Sequence, residues 1–471
     1  MYKSKKLANG LKLLIQNGTW KPHEKLPSLR NQSEYSGFSL MTVMNAYHEL
    51  EAQGLIYSKE KSGYFVAEIV NNITDHSINI DHKIEINSLV FRYLKSIQAD
   101  HIIPLGSAFP NSQLLYSTKL IQSLAQLAKR RLSYEQTPSL PPGNLALRKL
   151  IAQRYCMQGI PADPEDIVIT SGGLDALNLS LQAVTQTGDY ILLQQTVFYG
   201  AWQAAERLGL KVITIPDHPI DGIDLQAFQD ALNKYPIKAC WLMLNCHNPI
   251  GYTVKDEIKE KLAKILHDHK VYLIEDDVYE ELYFGHKKPS SMKYFDQHNQ
   301  VLHCSSFSKT LGAGFRIGWV YAGQFSEKIQ HIQLMSTLSV NSFIQNALVE
   351  YLSHRDYDKH LKKIRTSLEK NKLAFYKFLK KILPQSCQIH YFPSGYFLWI
   401  ELPKDLNSMD IYQDLLLNNI SIAPSHLFNA NDSQAKNYFR INCSFDLTDQ
   451  YQTSLEKLSH CIKNAIKELS E

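Results

Sequence analysis

From His101 to Glu471 the sequence repeats one pattern: an apolar strand segment followed by an amphipathic helical segment. The strand segments read DIVITSG, DYILLQQ, KVITIP, ACWLMLN, VYLIEDD, VLHCSSFS and IGWVYAG. Alternation of this kind predicts an α/β fold, with a mostly parallel sheet covered by helices on both faces.

The first 67 residues follow a different order. An amphipathic helix is expected over Lys3–Gln16, with Leu7, Leu11, Leu14 and Ile15 on one face, ended by Gly18 and Pro22. Ser28 caps a short helix to Tyr35, and Gly37 breaks it. Ser39 caps a third helix, Leu40–Gln53, with Val43, Ala46, Tyr47 and Leu50 at three- and four-residue steps. LIYS and GYFVAE then form a hairpin around Lys59–Ser62. Helix, helix, tight turn, helix and hairpin is the order of a winged helix-turn-helix. The expected organisation is therefore a head over 1–68, a linker over 69–100 that ends in a helix near 86–97, and a large part over 101–471.

Composition narrows the class. A chain of 471 residues, 44% hydrophobic and 20% charged, is not a disordered one. No run reaches the roughly 18 consecutive apolar residues of a membrane helix. The apolar part of MYKSKKLANGLKLLIQNGTW is broken by Lys12, Gln16 and Asn17, so export is not expected. Seven cysteines are scattered without a CxxC pair, which disfavours a disulfide framework and a zinc site and fits a reduced cytoplasm. The net charge is only +4, but nine Lys/Arg against six acids place +3 of it in residues 1–68.

Chemistry concentrates in a few strings. SSFSKTLGAGFRIGW (305–319) sets Lys309 among serines at the end of an apolar strand, with Arg316 seven residues on. A lysine amine can condense with the aldehyde of pyridoxal 5'-phosphate, while Ser306, Ser308 and Arg316 hold its phosphate. LIEDDVYEELYF (273–284) ends a strand with Asp276, a carboxylate suited to a pyridine nitrogen, and offers Tyr279 three residues later. LNCHNPIGYTV (244–254) adds Asn248 as a donor to the ring's phenolic oxygen. ITSGGLDAL (169–177) is a strand, a glycine turn and a helix start, whose free N–H groups at Gly173 and Leu174 make a phosphate cup. Phe198, in QQTVFYGAW, can stack on the ring.

These motifs, in this order over 101–471, resemble the fold-type I aminotransferases of class I and II. The resemblance implies a large mostly parallel sheet domain with a smaller α+β domain, and the cofactor roles just given. It further implies that Arg440, in YFRINCSF, pairs with a substrate carboxylate. Tyr134, in LSYEQTPSLPPGNLALRKLI, matches a segment that reaches the neighbouring subunit's phosphate, which implies a homodimer. There are two departures: Thr196-Val197-Phe198-Tyr199-Gly200 stands where relatives often carry proline and then tyrosine before the glycine, and Gly173 replaces a usual serine or threonine.

The head resembles the GntR type of winged helix-turn-helix through LPSLR (26–30), SLMTVMNAYHELEAQGLI (39–56) and SGYFVAE (62–68). In that mode the third helix enters the major groove of double-stranded DNA. The helix positions that face bases and phosphates in that mode are Ser39, Leu40, Met41, Thr42 and Asn45, and the implied contacts are Ser39, Thr42 and Asn45, with Arg30 at the start of the second helix and Lys61 and Gly63 at the hairpin tip. Leu40 stands where the type often has arginine. Head and body together resemble the MocR branch of GntR regulators, which implies a cytoplasmic transcription factor that senses an amino acid, an amine or the cofactor itself. The alternative is a working aminotransferase with an appended DNA-binding head, since Lys309, Asp276 and Arg440 are all present.

Overall fold

The computed structural model describes residues 2–16, 19–59, 62–67, 86–99, 101–129, 139–218, 221–354, 356–429 and 436–469. Two compact units divide the chain, Met1–His82 and Lys83–Glu471.

In the first unit, helices α1 (Tyr2–Gln16), α2 (Leu29–Ser36) and α3 (Leu40–Ala52) precede an antiparallel hairpin of β1 (Ile56–Lys59) and β2 (Gly63–Val66). Side-chain caps start two of the helices: Ser28 Oγ accepts from Asn31 N at 3.2 Å, and Ser39 Oγ accepts from Thr42 N at 3.4 Å. Gly37 closes α2 at φ +66°, a conformation glycine adopts without strain. Ala8, Leu11 and Ile15 of α1 bury against Val43, Ala46, Tyr47 and Leu50 of α3. Leu14, expected on the buried face, is 39% exposed. It falls one residue off the 8–11–15 stripe, and the small Ala8 takes the place where the two helices meet.

The second unit holds a seven-stranded sheet in the order β3-β9-β8-β7-β6-β4-β5. Its strands are β3 (Ile167–Thr170), β4 (Tyr190–Gln194), β5 (Lys211–Ile215), β6 (Ile237–Leu242), β7 (Tyr272–Asp276), β8 (Val301–Ser306) and β9 (Gly318–Tyr321). Strands β4 to β8 pair in parallel, as the alternation predicts, and β6 to β8 are buried almost throughout. Strand β9 runs antiparallel to both β3 and β8. Between Ser306 and Gly318 there are only two 3₁₀ turns, Phe307–Lys309 and Ala313–Phe315. That link is too short for a crossover helix, so the chain must return antiparallel.

A second sheet, order β10-β11-β13-β12, is entirely antiparallel: β10 (Gln388–His390), β11 (Phe397–Glu401), β12 (Ala423–Pro424) and β13 (Tyr438–Asn442). The long, lysine-rich Asp356–Ile382 helix buries Leu368, Phe375 and Leu379 and leaves most of its lysines in solvent. Helix α4 (Ile86–Ser96), expected at the end of the linker, buries Leu89, Val90 and Tyr93 in the same core as β11 and β13. The seven cysteines are free, and no helix among the described residues is long and apolar enough to cross a membrane.

Candidate functional site

The carboxyl ends of β6, β7 and β8 share one edge of the parallel sheet, the usual position for a ligand in such folds. Lys309 sits in the turn that leaves β8, half-buried, with Nζ donating to the Ala108 carbonyl at 2.8 Å. The same ammonium lies 5.2 Å from the centres of the Tyr279 and Phe109 rings. Burial, aided by the positive field of Arg440 and opposed by Asp276, lowers its pKa to about 7. An amine in that range is substantially unprotonated at neutral pH and available as a nucleophile.

Asp276 ends β7 and is buried, and its Oδ1 has no hydrogen-bond partner. Burial pushes its pKa up to about 7, while the Val278 N–H and the Lys309 charge pull the other way. Buried polar atoms are normally paired, so an orphan carboxylate oxygen here marks a place for a donor.

Behind it, Asp277 Oδ2 meets His303 Nε2 at 3.1 Å and accepts from Asn245 Nδ2 at 3.0 Å. Tyr155 Oη lies 2.6 Å from His303 Nδ1, and buried Lys259 donates to Asn245 Oδ1 at 2.6 Å. Burial opposes a charge on His303, but the bond to Asp277 and the field of Glu275 prevail and raise its pKa to about 8. Glu275, Asp277 and His303 bring ligand-type atoms within 4.8 Å of one another. Hydrogen bonds tie all three to protein groups, the Met292 N–H included.

Arg440 on β13 is fully buried. Its Nη1 donates to Asn248 Oδ1 and its Nη2 to the Gly106 carbonyl, while its Nε has no partner. The guanidinium lies 4.3 Å from the Phe397 ring centre and 4.9 Å from that of Phe428. Two of its five N–H groups are thus used and three remain. With its oxygen on Arg440, the Asn248 side chain keeps its NH₂ for another acceptor. Tyr279 is buried, which raises its pKa well above the ordinary phenol value.

The remaining residues gather where β3 turns into the Gly173–Val184 helix. Gly172 has φ +94°, and a Cβ there would meet the Arg316 guanidinium at 2.8 Å. A Cβ on Gly173 would come 2.6 Å from Val278 Cγ1 and 3.4 Å from Ser306 Oγ. The positive φ favours glycine at 172, and a side chain at 173 would require Val278 to shift. Arg316, itself at φ +53°, donates from Nη2 to the Ser171 carbonyl at 2.5 Å. Ser306 Oγ accepts from Ser308 N at 3.4 Å, and Ser308 Oγ is buried without a partner. The N–H groups of Gly173 and Leu174 lie in the first helical turn, where the helix itself supplies no acceptor. Phe198 precedes the Tyr199–Arg207 helix, half-buried, with its ring centre 4.3 Å from that of Tyr199. Tyr134 lies outside the described residues.

In the head, Ser39, Asn45 and Arg30 are exposed and Thr42 is half-exposed. Ser39 and Thr42 share a 2.9 Å contact between their hydroxyls. Gly63 opens β2 at φ +106° beside the Lys25 side chain, and Lys61 lies outside the described residues.

Family comparison places both units. The model described as "Aminotransferase class I and II" matches residues 106–455, and "Bacterial regulatory proteins, gntR family" matches residues 3–66. The HTH-type transcriptional regulator YdcR of Escherichia coli (strain K12) is 44% identical over 469 residues, covering 99% of this chain and 100% of that protein. The chain belongs to the MocR type of gntR-headed regulators. Similar to this MocR-type chain are also YjiR of the same organism, 30% identical over 98% of this chain and 99% of that one, and NorG of Staphylococcus aureus (strain USA300), 25% identical over 93% and 99%. Each is named an HTH-type transcriptional regulator. Among solved structures, the kynurenine aminotransferase of Pyrococcus horikoshii shares the fold of the body with a TM-score of 0.74 at 23% identity, over 80% of this chain and 95% of that one. LysN, an α-aminoadipate aminotransferase of Thermus thermophilus, gives 0.73 at 23%, over 80% and 97%.

Several residues that line this MocR-type site escaped the sequence reading. The carbonyls of Gly106 and Ala108 anchor Arg440, Lys309 and the Tyr396 hydroxyl. Backbone acceptors leave no side-chain signature, so no motif could have shown them. Tyr199 is buried and lies in the field of Arg440. Its signal was available, because it is the tyrosine directly before Gly200.

Proposed function

We propose that the protein is a transcriptional regulator that binds double-stranded DNA through its head and binds pyridoxal 5'-phosphate at Lys309, where it senses an amino acid, an amine or the cofactor. The observation that carries the reading is a set of buried groups without partners around Lys309: Asp276 Oδ1 and Ser308 Oγ at the edge of the parallel sheet, and Arg440 Nε on β13 of the second sheet. Each matches a different part of that cofactor or of an amino acid held against it. The donors and acceptors therefore fit the group.

In this reading Asp276 holds the pyridine nitrogen protonated, and Asn248 and Tyr279 donate to the phenolic oxygen. Ser306, Ser308, Arg316 and the N–H groups of Gly173 and Leu174 take the phosphate. Phe198 lies against the ring, and Arg440 takes a ligand carboxylate with its remaining N–H groups. Tyr134 of a second copy completes the phosphate site, which makes the protein a homodimer. When bound, pyridoxal phosphate supplies an aldehyde that captures amines and a ring that withdraws electrons. Lys309 contributes the amine that a ligand must displace and, once released, a base able to hold a proton. Its lowered pKa suits both tasks.

Displacing Lys309 changes charge in the cleft. Two conformations that differ in affinity for the ligand then shift in population, and the DNA heads of a dimer respond if their placement differs between the two. Two heads on one dimer reach two half-sites and gain affinity through effective concentration. The exposed Arg30, Ser39 and Asn45, the half-exposed Thr42 and Gly63 at the start of β2 support the DNA reading, and Lys61 is assigned to the same contact set. Such a protein works in the cytoplasm. An aminotransferase with an appended head remains the second reading, because Lys309, Asp276 and Arg440 also suffice for amino transfer. Borohydride treatment of cofactor-loaded protein tests the site. Cofactor mass should become fixed on the Lys309 peptide of the wild type and be absent in Lys309→Ala, and fixation elsewhere would reject the assignment.

A further inference from the structure

The first turn of α3 presents two large apolar side chains to solvent: Leu40 is 48% exposed and Met41 62%. Neither serves the head's core, which Val43, Ala46, Tyr47 and Leu50 fill from the other face of the helix. Positions 41, 45 and 48 are exposed at helical spacing, so Met41 heads a ridge shared with Asn45 and His48, and that ridge carries no carboxylate. The polar groups at the turn are engaged with each other: Ser39 Oγ lies 2.9 Å from Thr42 Oγ1 and 3.4 Å from Thr42 N. The same unit is net basic, with nine Lys/Arg against six acids over residues 1–68. Arg30 is exposed and makes no ion pair or hydrogen bond among the described residues, and Lys25 lies beside the hairpin at Gly63.

An apolar tip on a net-basic head matches one feature of duplex DNA. The edges of the major groove are polar except for the C5 methyl of thymine, and apolar side chains read that methyl by contact. We propose that Leu40 and Met41 read thymine methyl groups, so that the preferred site carries thymine where the first turn of α3 enters the groove. The inference rests on the DNA-binding reading above. Contact with a methyl adds sequence preference without neutralising a phosphate, so it leaves the salt dependence of binding unchanged.

The test uses the full-length protein. Sites are selected from randomised duplexes, and each thymine of the selected site is then replaced by deoxyuridine. That base keeps every hydrogen-bonding edge and lacks only the methyl. Binding should weaken about fourfold for each contacted methyl, the factor expected from one methyl-sized group returned to water. The salt slope should not change. In a Leu40→Ala/Met41→Ala double variant, thymine and uracil sites should bind alike. A selected site indifferent to uracil at every position overturns the inference, and this arm needs no variant. A thymine–uracil difference that survives in the double variant overturns it as well, and both results leave DNA binding intact. If no sequence is selected and binding follows salt alone, the reading as a sequence-specific regulator itself falls, and the inference with it.

Discussion

Replacing Asp276 with asparagine should stabilise the cofactor-free protein and weaken its hold on pyridoxal phosphate. Burial raises this carboxyl from 3.8 to about 7. A carboxyl raised in the folded state keeps a proton that the unfolded chain has already released. Stability therefore falls as pH rises from about 4 towards 7, and does not recover above it. At about 1.4 kcal/mol per pK unit, the cost is about 2 kcal/mol at pH 5 and about 4 kcal/mol at pH 8. Asparagine does not titrate, so over the two pK units between pH 5 and 7 Asp276→Asn should gain about 3 kcal/mol more over wild type at pH 8 than at pH 5. Cofactor binding should change in the opposite direction. A hydrogen bond to a charged group is worth about 1.5–3 kcal/mol, so its loss should weaken the cofactor roughly 10- to 100-fold. Thermal unfolding of cofactor-free wild type and variant at both pH values measures the first effect, and a spectroscopic titration at pH 8 measures the second. An equal gain at both pH values would assign the stabilisation to packing rather than charge. Unchanged cofactor affinity would remove Asp276 from the contact set.

Further expectations follow from the same geometry. Arg30→Ala should weaken DNA binding and reduce its log–log salt slope by about one, with cofactor spectra unchanged; an unaltered slope would mean that Arg30 touches no phosphate. Gly173→Ala places a methyl 2.6 Å from Val278 Cγ1. It should cost about 1–3 kcal/mol of stability in unfolding experiments and lower cofactor affinity, and a variant with wild-type values for both would contradict the close approach. Arg440→Lys keeps the charge and loses the planar fork. Amino acids should then bind at least about tenfold more weakly in a spectral titration, while simple amines bind as before.

What was legible in the sequence depended on whether a function needs a side chain or only a backbone atom. Lys309, Asp276 and Arg316 follow or precede apolar strands, and the parallel register of β6 to β8 brings those strand ends to one edge. Asn248 and Arg440 were readable as residues, but not their mutual bond, which joins positions 192 apart in the chain. The carbonyls of Gly106 and Ala108 could not be read, because any residue supplies a carbonyl. The antiparallel return of β9 was readable in principle from the shortness of the link after Ser306, yet apolar content alone carries no direction. Leu14 was misassigned because leucines at 7, 11 and 14 fit the helical repeat almost as well as 8, 11 and 15. Packing against α3 decides between the two stripes, and that contact lies outside the periodicity of one helix.

Occupancy of the Lys309 site is expected to control the DNA-binding head. The most direct test is the affinity of the full-length, cofactor-loaded protein for its selected duplex, measured with and without a panel of amino acids and amines, beside turnover of the same compounds. At least one ligand should change both the cofactor spectrum and DNA affinity. Wild-type turnover should stay far below roughly 1 per second, under the usual enzyme range. DNA affinity that ignores every ligand and the cofactor itself, together with turnover at or above that rate, would contradict the regulator and establish the aminotransferase.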